Sequence, residues 1–201
     1  MITKILLMLI SYLLGSIPSA LIVGKLWKGI DVRKHGSGNL GATNVLRVLG
    51  WGPAIITALM DVGKGVLAVY LATFILKNDH IAILLCVISA VIGHSFPIFA
   101  DFRGGRSVGI SFGILFYLFP KTSLTVLIIA IIIVSITKYK SIASITSAII
   151  YPFILYSLER PVMEYMICVV IVCLFIIYRH IPNIRRLIRG EEHKIDWRIK
   201  R

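Results

Sequence analysis

Long apolar runs follow one another along this chain, separated by short polar stretches rich in glycine and basic residues. A helix needs about 20 mostly apolar residues to cross the hydrocarbon core of a bilayer. Residues 5–25, 52–76, 81–100 and 162–181 reach that length. Residues 108–119, 123–137 and 142–158 are apolar but shorter, and only the last of these nearly spans alone. The other two are expected to tilt, or to break partway and let loop residues fill the remaining depth. Membranes tolerate such breaks where the backbone lines a cavity inside protein. The pattern therefore predicts an all-α integral membrane protein of about seven transmembrane helices. Residues 1–201 read as a single transmembrane domain, with nothing left over for a second.

Composition agrees. The chain is 58% hydrophobic with a mean hydropathy of +0.91, whereas apolar residues make up about half of a soluble domain. Lys4 before an apolar run, with Pro18-Ser19-Ala20 following, resembles a cleaved signal. The apolar character continues through Leu21, Ile22 and Val23, so the segment is expected to stay as a span. A formal charge of +13 would point to nucleic acid in a soluble protein. Here the distribution points to topology instead, and no nucleic-acid partner is expected. With seven spans, the first, third and fifth connections share one side with the tail. That side carries every Lys and Arg except Lys4, Lys77, Lys121 and Arg160 opposite and Lys64 within a span. The positive-inside rule then puts the N-terminus outside and the C-terminus in the cytoplasm. The basic tail from Arg185 to Arg201 reads as an amphipathic segment resting on anionic lipid, each cation contributing about 1 kcal/mol. Cys86, Cys168 and Cys173 lie in apolar spans without a CxxC or Cys/His set, and read as small core residues. No metal ligand set or cofactor motif is visible, and the sequence assigns no oligomeric state. No internal repeat is evident, which weighs against an inverted-repeat transporter.

Five polar clusters interrupt the apolar pattern. In the first, Gly36, Gly38 and Gly41 permit a tight backbone, and Ser37, Asn39, Thr43 and Asn44 supply short polar groups. Arg47 lies four residues after Thr43, so on a helix beginning near Leu40 the two share a face. A glycine loop entering a helix N-terminus with an arginine one turn on suits a phosphate, although such loops are often only turns. The second cluster, Asp61 and Lys64, sits inside a span, where each ionised group costs about 3 kcal/mol. The pair either neutralises itself at i,i+3 or lines a polar cavity. In the third, Gly104 and Gly105 are expected to present free N–H groups to an anion, with Arg106 beside them. His94 and Asp101 suggest a general base, against which a histidine at a span end is commonly a structural hydrogen-bonder. Histidine-base acyltransferases place an aspartate five residues on. The interval here is seven, so that mechanism is not supported. Ser141 and Ser144, one turn apart, open the sixth span, and His180, Asn183 and Glu192 follow the seventh. Cations, glycine turns and neutral donors gathered toward one face suit a small phosphate-bearing substrate presented beside lipid.

These clusters, in this order, resemble the PlsY family of bacterial acyl-phosphate:glycerol-3-phosphate acyltransferases. The likeness runs from Gly15-Ser16-Ile17-Pro18-Ser19 to Lys194, nearly the whole chain. It is carried most specifically by Ser37-Gly38-Asn39-Leu40-Gly41-Ala42-Thr43-Asn44 with Arg47. Asp61-Val62-Gly63-Lys64-Gly65, Gly93-His94-Ser95-Phe96-Pro97, Tyr139 with Ser141 and Ser144, and His180 with Asn183 and Glu192 add to it. One motif departs: the family usually has Gly-Gly-Lys-Gly-Val-Ala-Thr where this chain has Gly104-Gly105-Arg106-Ser107-Val108-Gly109-Ile110. Arginine is planar and bidentate, so it is no neutral replacement for lysine. Ser107 is expected to tighten the loop. The departure points toward a divergent paralogue, with altered substrate or reduced activity.

The resemblance implies transfer of an acyl group from acyl phosphate to the 1-hydroxyl of glycerol 3-phosphate, giving lysophosphatidic acid and phosphate for phospholipid synthesis. It implies no cofactor or metal, and a multi-pass location in the bacterial cell membrane with the site facing the cytoplasm. Arg47, Arg106 and a hydroxyl from Ser141 or Ser144 would hold the glycerol 3-phosphate phosphate. Ser37, Gly38, Asn39, Gly41 and Thr43 would cradle the acyl phosphate, with Asn44, Gly104 and Gly105 also at the substrate. His180 and Asn183 would act at the glycerol end. Asp61, Lys64, His94 and Glu192 would shape the cavity, and the apolar spans would hold the acyl chain within membrane lipid. The rival reading is a non-catalytic membrane protein that binds or transports anionic lipid or phosphorylated metabolites.

Overall fold

The structure, a computed structural model, describes Met1–Ile195. Arg198, Lys200 and Arg201 of the expected basic tail lie outside the described residues. Ten α-helices and two 3-10 turns form the regular structure of the described residues, with no strand among them. The chain divides into two compact units, Met1–Tyr117 and Leu118 onward.

In the first unit, α1 (Ile2–Ser16) and α2 (Ser19–Lys28) form a 27-residue apolar stretch interrupted at Ile17-Pro18. Pro18 has no amide hydrogen to give to the helical ladder, so the ladder breaks there. A 3-10 turn (Val32–Lys34) and α3 (Ala42–Leu49) lead to α4 (Trp51–Leu76) and α5 (His80–Ser95). A second turn (Ile98–Ala100) precedes α6 (Val108–Leu118). α1 packs along α5 and α4, and α4 also meets α2, α3 and α5. Glycines bring these backbones together: a Cβ on Gly15 would stand 2.1 Å from the Ala90 carbonyl, and one on Gly113 2.2 Å from that of Val62. Small residues at helix contacts do in lipid what hydrophobic burial does in water. Under the loop between α2 and α3, Ala20, Val23, Val32, Leu40, Val45 and Ala100 form a buried apolar cluster that seats the loop.

The second unit holds α7 (Pro120–Thr137), α8 (Lys140–Leu158), α9 (Met163–Arg179) and α10 (Ile181–Ile188). α7 packs on α8 and α8 on α9. The Ser123 and Tyr151 hydroxyls lie 2.8 Å apart, and the Thr122 hydroxyl donates to Glu159 at 2.9 Å. α7 begins earlier than its apolar run because Pro120 is favoured in a first turn. It therefore reaches 18 residues. The expected span 162–181 is helical as α9 to Arg179, and at its end the chain turns by 50° into α10, where Pro182 withholds an amide from a continuous ladder.

Among the described residues, five helical stretches suffice by length and composition to cross a membrane, and a sixth does if the bent α9–α10 pair counts as one. α6, with 11 residues, rises only about 16 Å, half the roughly 30 Å hydrocarbon core. Large apolar side chains stand outward on α1, α4, α7, α8 and α9, among them Leu6, Phe74, Ile136, Phe153 and Leu174. Such a surface is untenable in water and ordinary in lipid. The protein is a multi-pass integral membrane protein.

Candidate functional site

The first glycine loop is organised by Asn44. Its Oδ1 accepts from the Ser37 N–H at 2.7 Å and the Ser37 hydroxyl at 3.1 Å. Its Nδ2 donates to the Val32 carbonyl at 2.9 Å and the His35 carbonyl at 3.1 Å. Two acceptor sites and two donors exhaust an amide. The buried Asn44 is therefore the loop's internal brace, with no hydrogen-bonding capacity left for a substrate. Gly36 and Gly38 have φ of 60° and 69°, the left-handed region that glycine enters without steric cost. Gly41 starts α3 with no side-chain cap; the Asn44 N–H turns back to the Gly41 carbonyl, and those of Ala42 and Thr43 have no acceptor within the helix. Arg47 is exposed in the last turn of α3.

Beside this loop, the Arg33 guanidinium donates to Asp31 and, at 2.8 Å, to Asp101. The hydrogen bond from Arg33 holds the Asp31 carboxyl below its ordinary range, and Asp31 in turn raises Arg33. Asp101, one of the two residues behind the general-base idea, is thus paired with Arg33. His94 faces a different carboxylate, its Nδ1 3.5 Å from Asp61 Oδ1.

Asp61 and Lys64 bridge at 2.9 Å with both side chains buried. The pair does more than neutralise itself. The Ser19 hydroxyl donates to Asp61 at 2.8 Å, and the Lys64 ammonium donates to the Ile17 carbonyl at 2.7 Å. That carbonyl lies at the Pro18 break, so the ammonium serves an acceptor exposed by the interrupted ladder. Ile17, Pro18, Ser19, Leu40, Asp61, Lys64, His94, Pro97 and Gly104 line one small cavity. Ile17 and Ser19 belong to the motif that opens the family likeness, but their residue types carried no sign of a site role. The signal for them was a proline inside an otherwise apolar span.

The third loop corrects one expectation. The Gly104 and Gly105 N–H groups do not point at an anion. They donate to the Ser95 and His94 carbonyls at 3.2 and 3.1 Å, satisfying the open C-terminus of α5. Glycine is required because a Cβ on Gly104 would fall 2.1 Å from the His94 carbonyl, and one on Gly105 2.2 Å from His94 Nε2. Arg106 follows, half-buried. Ser107 is fully buried with its hydroxyl bonded to α5.

In the second unit, Ser141 and Ser144 are buried one turn apart on α8. His180, between α9 and α10, places Nδ1 2.7 Å from the Ile176 carbonyl. A carbonyl only accepts, so Nδ1 carries a proton and donates to it. Asn183 donates to Glu192 Oε1 at 2.6 Å, and Arg186 to Glu192 Oε2 at 2.7 Å. Burial pushes the Glu192 carboxyl up, but these two hydrogen bonds, with the Arg186 charge and the Ser141 hydroxyl, outweigh it and hold it below the usual range. Asn183 Oδ1 is buried without a hydrogen-bond partner among the described residues. The Lys194 ammonium lies 5.5 Å over the Tyr139 ring, and the Ile195 N–H donates to the Lys138 carbonyl at 2.8 Å. Arg186, which reads in sequence as tail charge, is thus part of the Glu192 cluster. No group of three or more His, Cys, Asp or Glu side chains converges among the described residues.

The sequence profile of the family described as glycerol-3-phosphate acyltransferase matches residues 5–190. A relative called glycerol-3-phosphate acyltransferase in Bacillus subtilis is 44% identical over 96% of this chain and 97% of its own. Another with that name in Listeria monocytogenes is 42% identical over 98% of both chains. Among solved structures, PlsY (YgiH), an integral membrane glycerol 3-phosphate acyltransferase in its glycerol 3-phosphate form, superposes with a TM-score of 0.90. It is 34% identical over 96% of both chains. The lysophosphatidic acid form of that protein gives 0.89.

Proposed function

The chain belongs to the glycerol-3-phosphate acyltransferase family, and from that premise we propose that it acylates the 1-hydroxyl of glycerol 3-phosphate with an acyl phosphate. The observation that carries acyl transfer is the match, over nearly the full chain, to a membrane enzyme solved in glycerol 3-phosphate and lysophosphatidic acid forms. An acyl phosphate is a mixed anhydride and already activated, so the substrate hydroxyl serves as nucleophile. It attacks the acyl carbonyl, the bond from that carbon to the phosphate oxygen breaks, and the hydroxyl proton passes to the departing phosphate. Lysophosphatidic acid and inorganic phosphate result.

The protein's work is then to hold two phosphates and aim one hydroxyl. Alignment of this kind lowers a barrier by roughly 7–11 kcal/mol, and each charge-assisted contact contributes about 1.5–3 kcal/mol. Arg47 and Arg106 take the glycerol 3-phosphate phosphate, with Ser141 or Ser144 assigned to it on their place in the motif order. Ser37, Gly38, Asn39, Gly41 and Thr43 receive the acyl phosphate, supported by the uncapped start of α3. Asn44 acts by bracing that loop, and Gly104 and Gly105 by letting the Arg106 loop dock on α5. At the glycerol end His180 Nε2 and Asn183 Oδ1 accept from hydroxyls, and Glu192 fixes the Asn183 amide by taking its N–H. Asp61, Lys64 and His94 shape the cavity at the Pro18 break.

The reading of residues 1–201 as one acyltransferase domain rests on a profile match that crosses the boundary between the units. The charge bias supports a cell-membrane location with the site on the cytoplasmic side. Reconstituted vesicles separate this function from its rival. Glycerol 3-phosphate should be consumed only with acyl phosphate present. Its movement across the vesicle without consumption of donor would instead make the protein a transporter.

A further inference from the structure

Ser107, immediately after Arg106, is 0% exposed and has φ 59°, a conformation that disfavours any residue with a Cβ. Its hydroxyl donates to the Val91 carbonyl at 2.9 Å. A hydroxyl has one proton, so in its 2.7 Å contact with the Ser95 hydroxyl Ser107 accepts and Ser95 donates. Ser95 Oγ also lies 3.3 Å from the Gly105 carbonyl. The residues on both sides of Arg106 are therefore tied to α5, Ser107 through Ser95 and the Val91 carbonyl and Gly105 through its N–H to the His94 carbonyl.

The geometry points to Ser107 and Ser95 as positioning residues that hold the Arg106 guanidinium in register for a phosphate. A guanidinium binds phosphate through a planar fork whose orientation matters, whereas a lysine ammonium is a point charge that tolerates movement of its loop. An arginine at this position gains from a clamped backbone in a way a lysine would not. The inference rests on the reading that Arg106 meets the substrate phosphate.

The test measures kcat and KM for glycerol 3-phosphate in the full-length protein. Arg106→Ala examines the underlying reading: an unchanged KM removes Arg106 from the phosphate, and the proposal with it. Ser107→Gly deletes the hydroxyl while relaxing the left-handed backbone. It should raise KM about 5- to 10-fold and leave kcat within about twofold, the signature of lost binding shared by ground and transition states. In an Arg106→Lys background the same substitution should change KM less than about twofold, since coupled residues depart from additivity. Ser95→Ala, which leaves the loop backbone untouched, should reproduce the rise. An unchanged KM in Ser107→Gly and Ser95→Ala, with a raised one in Arg106→Ala, overturns the proposal while sparing the phosphate reading. An equal rise in the Arg106 and Arg106→Lys backgrounds, or unfolding of both serine variants, marks the hydroxyls as merely structural and also overturns it.

Discussion

Arg47 and Asn44 are three residues apart on α3 and do opposite things. Arg47 is exposed in the last turn of α3, and Arg47→Ala should cost a phosphate contact. At about 1.5–3 kcal/mol per charge-assisted contact, kcat/KM for glycerol 3-phosphate should fall roughly 10- to 150-fold. An unaltered KM and rate would remove this arginine from the site. Asn44 is buried with every donor and acceptor used, so Asn44→Ala should lower thermal stability in detergent along with activity. Sequence placed both residues in one phosphate loop but could not separate them, because spacing along a helix does not say which side chain turns back on its own loop. The same limit applied to Gly104 and Gly105. Their glycine identity was legible, but its cause is backbone docking on α5, which depends on the distant His94 and Ser95 carbonyls. Gly104→Ala drives a Cβ into fixed backbone. Thermal unfolding should show a loss of about 1–3 kcal/mol or more, as for overpacked cores.

At the scale of elements, the Asp61–Lys64 pair joins α4 to the break between α1 and α2, and His94 brings in the end of α5. Removing one member of a buried pair strands the other charge, at about 3–5 kcal/mol. Asp61→Leu and Lys64→Met should each lower the melting temperature strongly, and the double variant by less than the two losses added. A fully additive double variant would mean the charges do not compensate each other. The sequence showed a pair in a span, yet not its partners, since Ser19 and the Ile17 carbonyl are about forty residues away in the chain. In the second unit, Glu192 binds the last described stretch to α10 through Asn183 and Arg186. Its carboxyl is held below the ordinary 4.5. A depressed carboxyl adds stability that is complete above its unfolded pKa and is lost as pH falls through the folded one. Wild-type melting temperature should therefore drop as pH is lowered below about 4.5, and Glu192→Gln should flatten that drop. Parallel pH profiles would show the carboxylate contributes nothing.

For the whole molecule, the class was readable from the chain because apolar length is a direct physical requirement of a bilayer. The finer partition was not. The bend at Pro182, the early start of α7 at Pro120 and the half-length α6 depend on prolines and packing that a hydropathy pattern averages away. Orientation is testable without reference to span count, because the 26-residue α4 separates Lys34 from Lys77. In right-side-out vesicles, Lys77→Cys should react with an impermeant maleimide and Lys34→Cys only after permeabilisation, and the reverse pattern would invert the topology. Acyl transfer is the claim on which the residue assignments depend. Purified protein given acyl phosphate and labelled glycerol 3-phosphate should form lysophosphatidic acid and release inorganic phosphate in equal amounts. A folded sample that yields neither, while the Bacillus subtilis relative turns over alongside, would contradict it.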